Sequence, residues 1–394
     1  MSANLSTAVE PDVPTRVGSC SAHQQPRWRD TAELRRVRLE LAARPALVTE
    51  SEVGSLRAAL AAVADGGALV LQAGDCAEDP AECGPIDVSR KAGLLDVLAG
   101  TLRMVGHRPV VRVGRIAGQF AKPRSAATER IGGLDLPVYR GHMVNGPEPE
   151  LAIRTPDPRR LLTGYDAAAA VLRTLGPPTG AVAPVWTSHE ALLLDYELPM
   201  VRPGATGRPL LGSTHWPWIG ERTRQLYGAH VDLLASVINP VACKVGPSTT
   251  PTELIALCSV LDPDRVPGRL SLIARIGAGR VAQVLPGLVA AVRTAGHPVV
   301  WLCDPMHANT VVTGNGLKTR YLDRITAEVR GFLAAVRDGG GVPGGLHLEA
   351  TPDDVTECAS NESCSERVGD RYTTLCDPRL NPAQAVAVVS AWSS

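Results

Sequence analysis

Short apolar runs alternate along most of the chain with longer stretches in which apolar residues recur every three or four positions. Each short run has the length of a buried strand, and each longer stretch has the spacing of an amphipathic helix. Eight short runs follow residue 67, at 68–72, 110–113, 183–187, 214–219, 241–245, 270–274, 299–303 and 345–348. This alternation predicts an α/β fold with an eight-stranded parallel barrel, although an open doubly wound sheet fits the same pattern.

Helical patterning also occurs before the first run. Leu34, Val37 and Leu41 recur at helical spacing, and a second stretch at 49–63 opens with a typical helix N-terminus, Thr49-Glu-Ser-Glu. Six further helices are predicted at 94–105, 161–175, 223–236, 253–261, 281–295 and 323–337. We therefore predict a flexible arm at 1–27, a helical extension at 28–66 and a barrel at 67–394.

Nearly every predicted strand ends in a string of polar residues. In a parallel barrel the C-terminal strand ends form one mouth, and active sites lie there. The strings that should meet at this mouth are 74–78, 114–119, 187–190, 218–222, 244–248, 275–277, 303–307 and 347–349.

Four residues in or near these strings are candidate metal ligands: Cys76, His307, Glu349 and Asp377. One thiolate, one imidazole and two carboxylates suit a divalent transition metal. The four share no short-range spacing, and each also has an ordinary structural role as a buried thiol, a core histidine or a salt-bridge partner. The residues alone leave both interpretations open.

Six basic residues occupy the same strings or the loops that follow them: Arg115, Lys122, Arg124, Arg222, Lys244 and Arg275. The chain has 36 Arg but only four Lys, so a lysine in this sequence is more often selected for its compact ammonium group. A single arginine is ordinarily a solvated surface charge. Six cations at one mouth instead indicate substrates with several anionic groups, phosphates and a carboxylate among them.

The overall charge balance argues against two classes of partner. Lys+Arg and Asp+Glu are equal at 40 each, which gives no electrostatic basis for binding nucleic acid or an anionic membrane. No apolar run has the length of a membrane span, and the first 27 residues lack the apolar segment of a secretory signal. We expect a cytoplasmic enzyme whose nine cysteines are mostly thiols.

Taken together, the strings resemble the type II (plant and actinobacterial-like) 3-deoxy-D-arabino-heptulosonate 7-phosphate (DAHP) synthases, in particular their compact, secondary-metabolism-like members. The resemblance extends from about residue 28 to residue 391. Its motifs are Leu71-Gln-Ala-Gly-Asp-Cys-Ala-Glu, Gly114-Arg-Ile-Ala-Gly-Gln-Phe-Ala-Lys-Pro-Arg-Ser, Ser188-His-Glu-Ala-Leu-Leu-Leu-Asp-Tyr-Glu, Trp218-Ile-Gly-Glu-Arg-Thr-Arg-Gln, Cys303-Asp-Pro-Met-His, Asp354-Val-Thr-Glu-Cys and Cys376-Asp-Pro-Arg-Leu-Asn.

This resemblance implies a (β/α)8 TIM barrel with a short N-terminal helical extension. It implies that phosphoenolpyruvate condenses with erythrose 4-phosphate and water to give DAHP and phosphate, the first step of the shikimate pathway. It also implies a divalent metal, Mn2+ or Co2+ foremost, with Zn2+ or Cd2+ as alternatives, and a homodimer or higher homo-oligomer in contact through the N-terminal helices.

The resemblance also assigns roles to particular residues. Cys76, His307, Glu349 and Asp377 match the metal ligands. The residues that match the phosphoenolpyruvate site are Arg115, Glu221, Lys244 and Arg275, with Trp218 beside them. Of these, Lys244, Glu221 and Arg115 are the catalytic candidates. Lys122, Arg124 and Ser125 match the segment that binds erythrose 4-phosphate, and Arg222 lies between the two substrate sites.

Two alternatives to a DAHP synthase stay open at this point. An aminoDAHP synthase would use an imino or amino analogue of erythrose 4-phosphate through the same contacts. A catalytically idle homologue would only bind a partner.

A further expectation concerns Cys376, which directly precedes Asp377. If Asp377 and Cys76 bind the same metal ion, Cys376 must lie close to Cys76.

Overall fold

A computed structural model of the protein describes residues 13–177, 184–205 and 207–393. Within these ranges eight parallel strands close into a barrel, which confirms the predicted barrel over the doubly wound alternative. The strands are β1 (Leu69–Gly74), β2 (Val110–Arg115), β3 (Val185–Glu190), β4 (Trp216–Ile219), β5 (Val241–Val245), β6 (Leu270–Ala274), β7 (Val300–Cys303) and β8 (Pro343–Glu349). Each corresponds to one predicted run, and Ala183, the start of the third run, lies outside the described residues.

Ten helices of the described ranges surround or extend the barrel. They are α1 (Val13–Gly18), α2 (Thr31–Ala43), α3 (Glu50–Ala64), α4 (Pro85–Gly106), α5 (Arg160–Leu175), α6 (Ala229–Ser236), α7 (Pro251–Leu261), α8 (Val281–Thr294), α9 (Leu322–Asp338) and α10 (Pro382–Ser390). Shorter elements are the helical turns Pro80–Glu82, Leu151–Arg154, Leu194–Glu197, Leu198–Met200 and Glu362–Arg367, and the hairpins Thr128–Ile131 with Leu134–Pro137, Val201–Arg202 with Leu210–Leu211, and Thr310–Val312 with Lys318–Arg320.

Two predicted helix starts differ from the structure. Helix α4 begins at Pro85 rather than at residue 94, since a proline fits the first turn of a helix. Helix α6 begins at Ala229 rather than at residue 223, because the intervening residues form turns in which the Thr223 and Gly228 amides bond to Gly220 and Gln225.

The arm predicted for residues 1–27 is not a free segment where the structure describes it, and residues 1–12 lie outside the described ranges. Val17 of α1 is buried against the barrel, and Arg16 forms an ion pair with Asp232 at 3.0 Å. Ser21 pairs with Gly228 in a short β-bridge. A helix of six residues is too short to give a periodic pattern, which is why the sequence did not reveal it.

Helix α3 closes the N-terminal end of the barrel. Its Leu56, Leu60 and Val63 are fully buried in one cluster with residues of the barrel interior, among them Val70 and Trp216. Thr49 caps this helix in a reciprocal capping box with Glu52, as the Thr49-Glu-Ser-Glu pattern predicts. The interior is therefore apolar at this end, and the polar residues meet at the opposite, C-terminal mouth.

Among the helices of the described ranges, none combines the length and the apolar character that crossing a bilayer requires.

Candidate active site

The C-terminal strand ends surround a cleft of about 170 Å3. Strand register brings its walls together, because Gly74 at the end of β1 lies opposite Arg115 of β2 on one side and Glu349 of β8 on the other. The cleft is lined by Arg115, Gln119, Lys122, Pro123, Glu190, Trp218, Gly220, Glu221, Arg222, Lys244, Arg275, His307 and Asp377. Five of the six predicted cations are in this set.

Three of the four predicted metal ligands form one group at the base of the cleft. The ligand atoms of Cys76, Glu349 and Asp377 all lie within 4.8 Å of one another. Asp377 belongs to the segment after β8, which is held in place because the Leu380 amide donates to the Glu349 carbonyl at 3.0 Å. The Asp377 amide in turn donates to the Cys76 sulfur at 3.3 Å.

His307, the fourth predicted ligand, lies beside this group. Its Nε2 is 3.2 Å from the Glu349 Oε1, while its Nδ1 is 2.7 Å from the Asp304 Oδ2. A carboxylate on one nitrogen of a histidine ring orients the other nitrogen, and metal-binding histidines are commonly held in this way. Asp304 is fully buried and thus fixes the ring with Nε2 directed at the ligand group.

This donor set fits a divalent transition ion. Burial by itself raises the pKa of Glu349, but His307, Lys122, Arg320 and Arg115 hold that pKa well below its ordinary range. The carboxylate is therefore ionised, as a metal ligand must be. The mixture of sulfur, nitrogen and oxygen donors matches the preferences of zinc and its neighbours in the first transition row.

Lys122 extends into the ligand group from the loop after β2. Its Nζ lies 3.4 Å from the Glu349 Oε1 and 3.8 Å from the Asp377 Oδ2. Burial disfavours the ammonium form, but Cys76, Glu349 and Asp377 together raise the pKa of Lys122 above its ordinary value. The ammonium is therefore held as a cation beside the candidate metal ligands.

Arg115 is held rigidly by contacts on all sides. Its guanidinium donates to the Glu349 Oε1 at 2.9 Å and to the Asp75 carbonyl at 3.1 Å, and its Nη1 lies 2.6 Å from the His347 Nε2. Burial, followed by Lys244 and Arg115, depresses the pKa of His347 well below its usual value, so the imidazole is neutral and accepts this bond. The guanidinium also lies over the Trp218 ring, 5.3 Å from its centroid.

Lys244 and Arg275 form the opposite wall of the cleft. The Lys244 Nζ contacts the Asp304 Oδ2 at 3.0 Å and the His307 Nδ1 at 3.3 Å. Burial lowers the pKa of Lys244, and Asp304 opposes that effect. Among the described cations that line the cleft, Arg275 alone makes no side-chain hydrogen bond or ion pair, so its guanidinium is available to an anionic ligand.

Two carboxylates of the cleft each have a buried oxygen without a hydrogen-bond partner among the described residues, namely Glu190 and Glu221. The other Glu221 oxygen accepts from Arg224 at 3.0 Å. The loop residues Arg124 and Ser125 do not line the cleft. Ser125 is joined to it through Arg222, whose Nη2 donates to the Ser125 hydroxyl at 2.9 Å.

Several residues of the site were not predicted individually. Asp304, Gln119 and Glu190 belong to polar strings at the strand ends. Their position in those strings could have indicated that they lie at the mouth of the barrel. Arg320, whose Nη1 donates to the Glu349 Oε2 at 2.7 Å, and Lys318, which bonds to Asp377 at 2.8 Å, come from the hairpin between β7 and α9. A hairpin inserted after a strand end gives no periodic signal of where its tip will lie.

The sequence model of the class-II DAHP synthetase family matches residues 13–183 and 177–391, almost the whole chain. The chain belongs to this family. It is 56% identical over 389 residues to a probable phospho-2-dehydro-3-deoxyheptonate aldolase of Pseudomonas fluorescens, with 97% of each chain covered. It is also 40% identical to the corresponding aldolase of Streptomyces coelicolor, with 93% of each chain covered. Finally, it is 38% identical to that of Mycolicibacterium smegmatis, over 93% of this chain and 90% of the relative.

Membership confirms the predicted family, enzyme class and reaction at once. The chemistry is that of a DAHP synthase, which opens the shikimate pathway, and the family implies a divalent metal ion. The class-II DAHP synthetase match also covers helices α1 to α3, so these helices are part of the family's common chain rather than an addition to it.

A redox prediction follows from the metal group. Cys76 and Cys376 lie in one buried cluster with Tyr139, so the two cysteines are close to each other, as the sequence predicts. We expect metal-free protein treated with peroxide to form a Cys76–Cys376 disulfide, the two thiols giving two electrons and two protons to the peroxide, and to lose activity. Reductant followed by metal should restore it.

Peptide mapping checks this prediction. A Cys376→Ser variant is the matched control, since it keeps the Cys76 thiol but cannot form the bridge. Loss of wild-type activity with both cysteines recovered as free thiols would contradict the bridge.

Proposed function

We propose that this chain condenses phosphoenolpyruvate with erythrose 4-phosphate in the cleft at the C-terminal mouth of its barrel. The observation that carries the proposal is the meeting, in one cleft, of a three-residue candidate metal group with five cations from four strands or the loops after them. Two phosphorylated substrates need such an excess of positive charge to bind side by side. Holding both in reactive geometry contributes up to roughly 7–11 kcal/mol in well-aligned systems.

Phosphoenolpyruvate binds, in this proposal, against Lys244, Arg275 and Arg115. The Arg275 side chain has no hydrogen-bond or ion-pair partner among the described residues and receives the phosphate, with Lys244 beside it. Arg115 is fixed by Asp75, His347 and Glu349, so it offers an immobile guanidinium edge to the carboxylate. Trp218, buried beneath the Arg115 guanidinium, forms the apolar floor on which the enol carbons rest.

Erythrose 4-phosphate binds toward the Lys122–Ser125 loop. Arg222 and Ser125 are already hydrogen-bonded and form one end of this subsite, and Arg124 completes its charge. The Lys122 ammonium lies between this loop and the metal group, within reach of the aldehyde oxygen. Lys122 can therefore donate a hydrogen bond to that oxygen as negative charge develops on it.

The reaction joins carbon 3 of phosphoenolpyruvate to the aldehyde carbon, water adds at carbon 2, and phosphate leaves. A divalent ion held by Cys76, His307, Glu349 and Asp377 would supply Lewis-acid polarisation of the aldehyde. Glu221 and Glu190 line the cleft, and each has a buried carboxylate oxygen without a hydrogen-bond partner among the described residues. We assign Glu221 the task of orienting the water and accepting its proton.

We also propose a metal ion, an oligomeric state and a cellular location for this enzyme. Mn2+ or Co2+ is the proposed ion, as the family resemblance implies. A homo-oligomer in contact through the N-terminal helices is proposed from the family resemblance alone. The nine cysteines are all free thiols, which supports action in the cytoplasm.

A coupled assay tests the proposed substrate. Phosphate release from phosphoenolpyruvate is measured with Mn2+ and either erythrose 4-phosphate or its imino analogue at equal concentration. Faster turnover with erythrose 4-phosphate supports DAHP synthesis. Preference for the imino analogue would reassign the enzyme to aminoDAHP synthesis, and no turnover with either would leave a homologue that only binds.

A further inference from the structure

Glu78 connects the two polar segments that build the deepest part of the site. It is fully buried and does not line the cleft. Its carboxylate accepts hydrogen bonds from the backbone amides of Ala117 at 3.1 Å, Gly118 at 2.9 Å and Gln119 at 2.8 Å. Its own amide donates to the Gln119 carbonyl at 2.8 Å. Four hydrogen bonds thus join the segment after β1 to the loop after β2.

The backbone of that loop does not have a conformation that its sequence prefers. Ala117 has a φ of +66° and Gly118 a φ of +151°. A residue with a Cβ disfavours the left-handed region, so Ala117 is strained there. Gly118 cannot carry a side chain, because a Cβ at that position would lie 2.2 Å from the His189 Nδ1. Three successive amides directed at one point form a nest, and nests bind anions. Here the anion is the Glu78 carboxylate.

The strained turn determines where Lys122 lies. Arg115, before the turn, is held by its own contacts with Asp75, His347 and Glu349. Lys122, after the turn, depends on the path of the intervening residues and on its own amide, which donates to the Arg140 carbonyl at 2.8 Å. Gln119 continues that path, since its Oε1 accepts from the Glu190 amide at 2.9 Å and its Nε2 donates to the Ala121 carbonyl at 3.2 Å.

We propose that Glu78 is a positioning residue that locks the 117–119 turn and thereby places the Lys122 ammonium beside the metal ligands. Because Glu78 follows Cys76 by two positions, the same carboxylate sets the distance between the first metal ligand and the cation that meets the sugar aldehyde. This inference rests on the proposed role of Lys122 toward erythrose 4-phosphate.

The Glu78→Gln variant tests the proposal in the full chain. A glutamine keeps the size of the side chain but offers one acceptor oxygen, and its NH2 group faces amides that are themselves donors. We expect kcat/KM for erythrose 4-phosphate to fall by about tenfold or more, the effect of losing a charge-assisted hydrogen bond. The Kd of phosphoenolpyruvate, measured by calorimetry, should change by less than about twofold, because Arg115, Lys244 and Arg275 do not depend on the turn.

A second substitution separates positioning from mere stability. Ala117→Gly removes the cost of the left-handed conformation, so in the Glu78→Gln background it should recover about fivefold in kcat/KM for erythrose 4-phosphate. In the wild-type background the same change should have little effect. Glu82→Gln is the matched control, since Glu82 lies in the same segment after β1 and pairs with Lys91 at 3.3 Å but does not touch the turn.

The possible outcomes decide between the explanations. A lower melting temperature with unchanged erythrose 4-phosphate kinetics would overturn the proposal, and so would the absence of rescue by Ala117→Gly. If Glu78→Gln does not fold, Ala117→Val strains the turn from the loop side and must give the same selective loss. A Lys122→Met variant with normal erythrose 4-phosphate kinetics would place the error in the proposed role of Lys122 instead.

Discussion

Loss of the Cys76 thiol is expected to abolish both tight metal binding and turnover. The Cys76 sulfur is fully buried within 4.8 Å of the ligand atoms of Glu349 and Asp377, so alanine removes the only sulfur of that group and leaves two carboxylates close together. Changes in the outer shell of a metal site cost about 10- to 100-fold in affinity, and loss of a ligand itself should cost at least as much.

Metal content and metal affinity are the readouts, alongside turnover. Wild-type protein treated with chelator should be inactive and should recover with Mn2+ or Co2+, whereas Cys76→Ala should recover neither metal nor activity at the same concentrations. Cys83→Ala is the matched control, because Cys83 is also buried but lies outside the ligand group. Full activity of the metal-free Cys76→Ala variant would contradict the assignment of Cys76 as a metal ligand.

The second large effect concerns phosphoenolpyruvate. Removing a charge-assisted contact costs about 1.5–3 kcal/mol, which corresponds to roughly ten- to a hundredfold in affinity. Arg275→Met and Lys244→Met should each weaken phosphoenolpyruvate by that factor and erythrose 4-phosphate much less. Calorimetry of both variants with phosphoenolpyruvate measures this directly.

The two variants should differ in stability. Arg275 makes no side-chain bond to the described protein, so its loss should leave the melting temperature unchanged. Lys244 neutralises the fully buried Asp304, so its loss should also lower the melting temperature. Arg280→Met is the surface control, since Arg280 is exposed and does not line the cleft. Unchanged phosphoenolpyruvate affinity in both variants would refute the assignment.

The sequence predicts the barrel well because each strand is a separate apolar run with its own polar end. Even β4, where Pro217 interrupts the run, occupies the expected place. It pairs with β3 over three residues, Pro217 included. Helix α1, within the predicted N-terminal arm, could not be predicted from the sequence, because it is a single short helix held by tertiary contacts such as Arg16 with Asp232.

Some residues of the candidate site could be predicted from the sequence and others could not. Residues at strand ends, such as Arg115, Lys244 and Glu349, could be anticipated because a parallel barrel brings all strand ends to one mouth. Asp377, in the segment after the last strand, could be named as a candidate ligand from its residue type, but its place beside Cys76 depends on how that segment folds back. Arg320 and the role of Glu78 could not be anticipated, because they depend on where a hairpin folds and on the backbone angles of a turn.

The most direct test of the central claim is a crystal structure of the enzyme with Mn2+ and phosphoenolpyruvate, using anomalous scattering to locate the metal. We expect one Mn2+ peak bounded by Cys76, His307, Glu349 and Asp377, with the phosphate of phosphoenolpyruvate against Lys244 and Arg275. A metal peak outside this group, or phosphoenolpyruvate bound away from that wall of the cleft, would contradict the proposed active site.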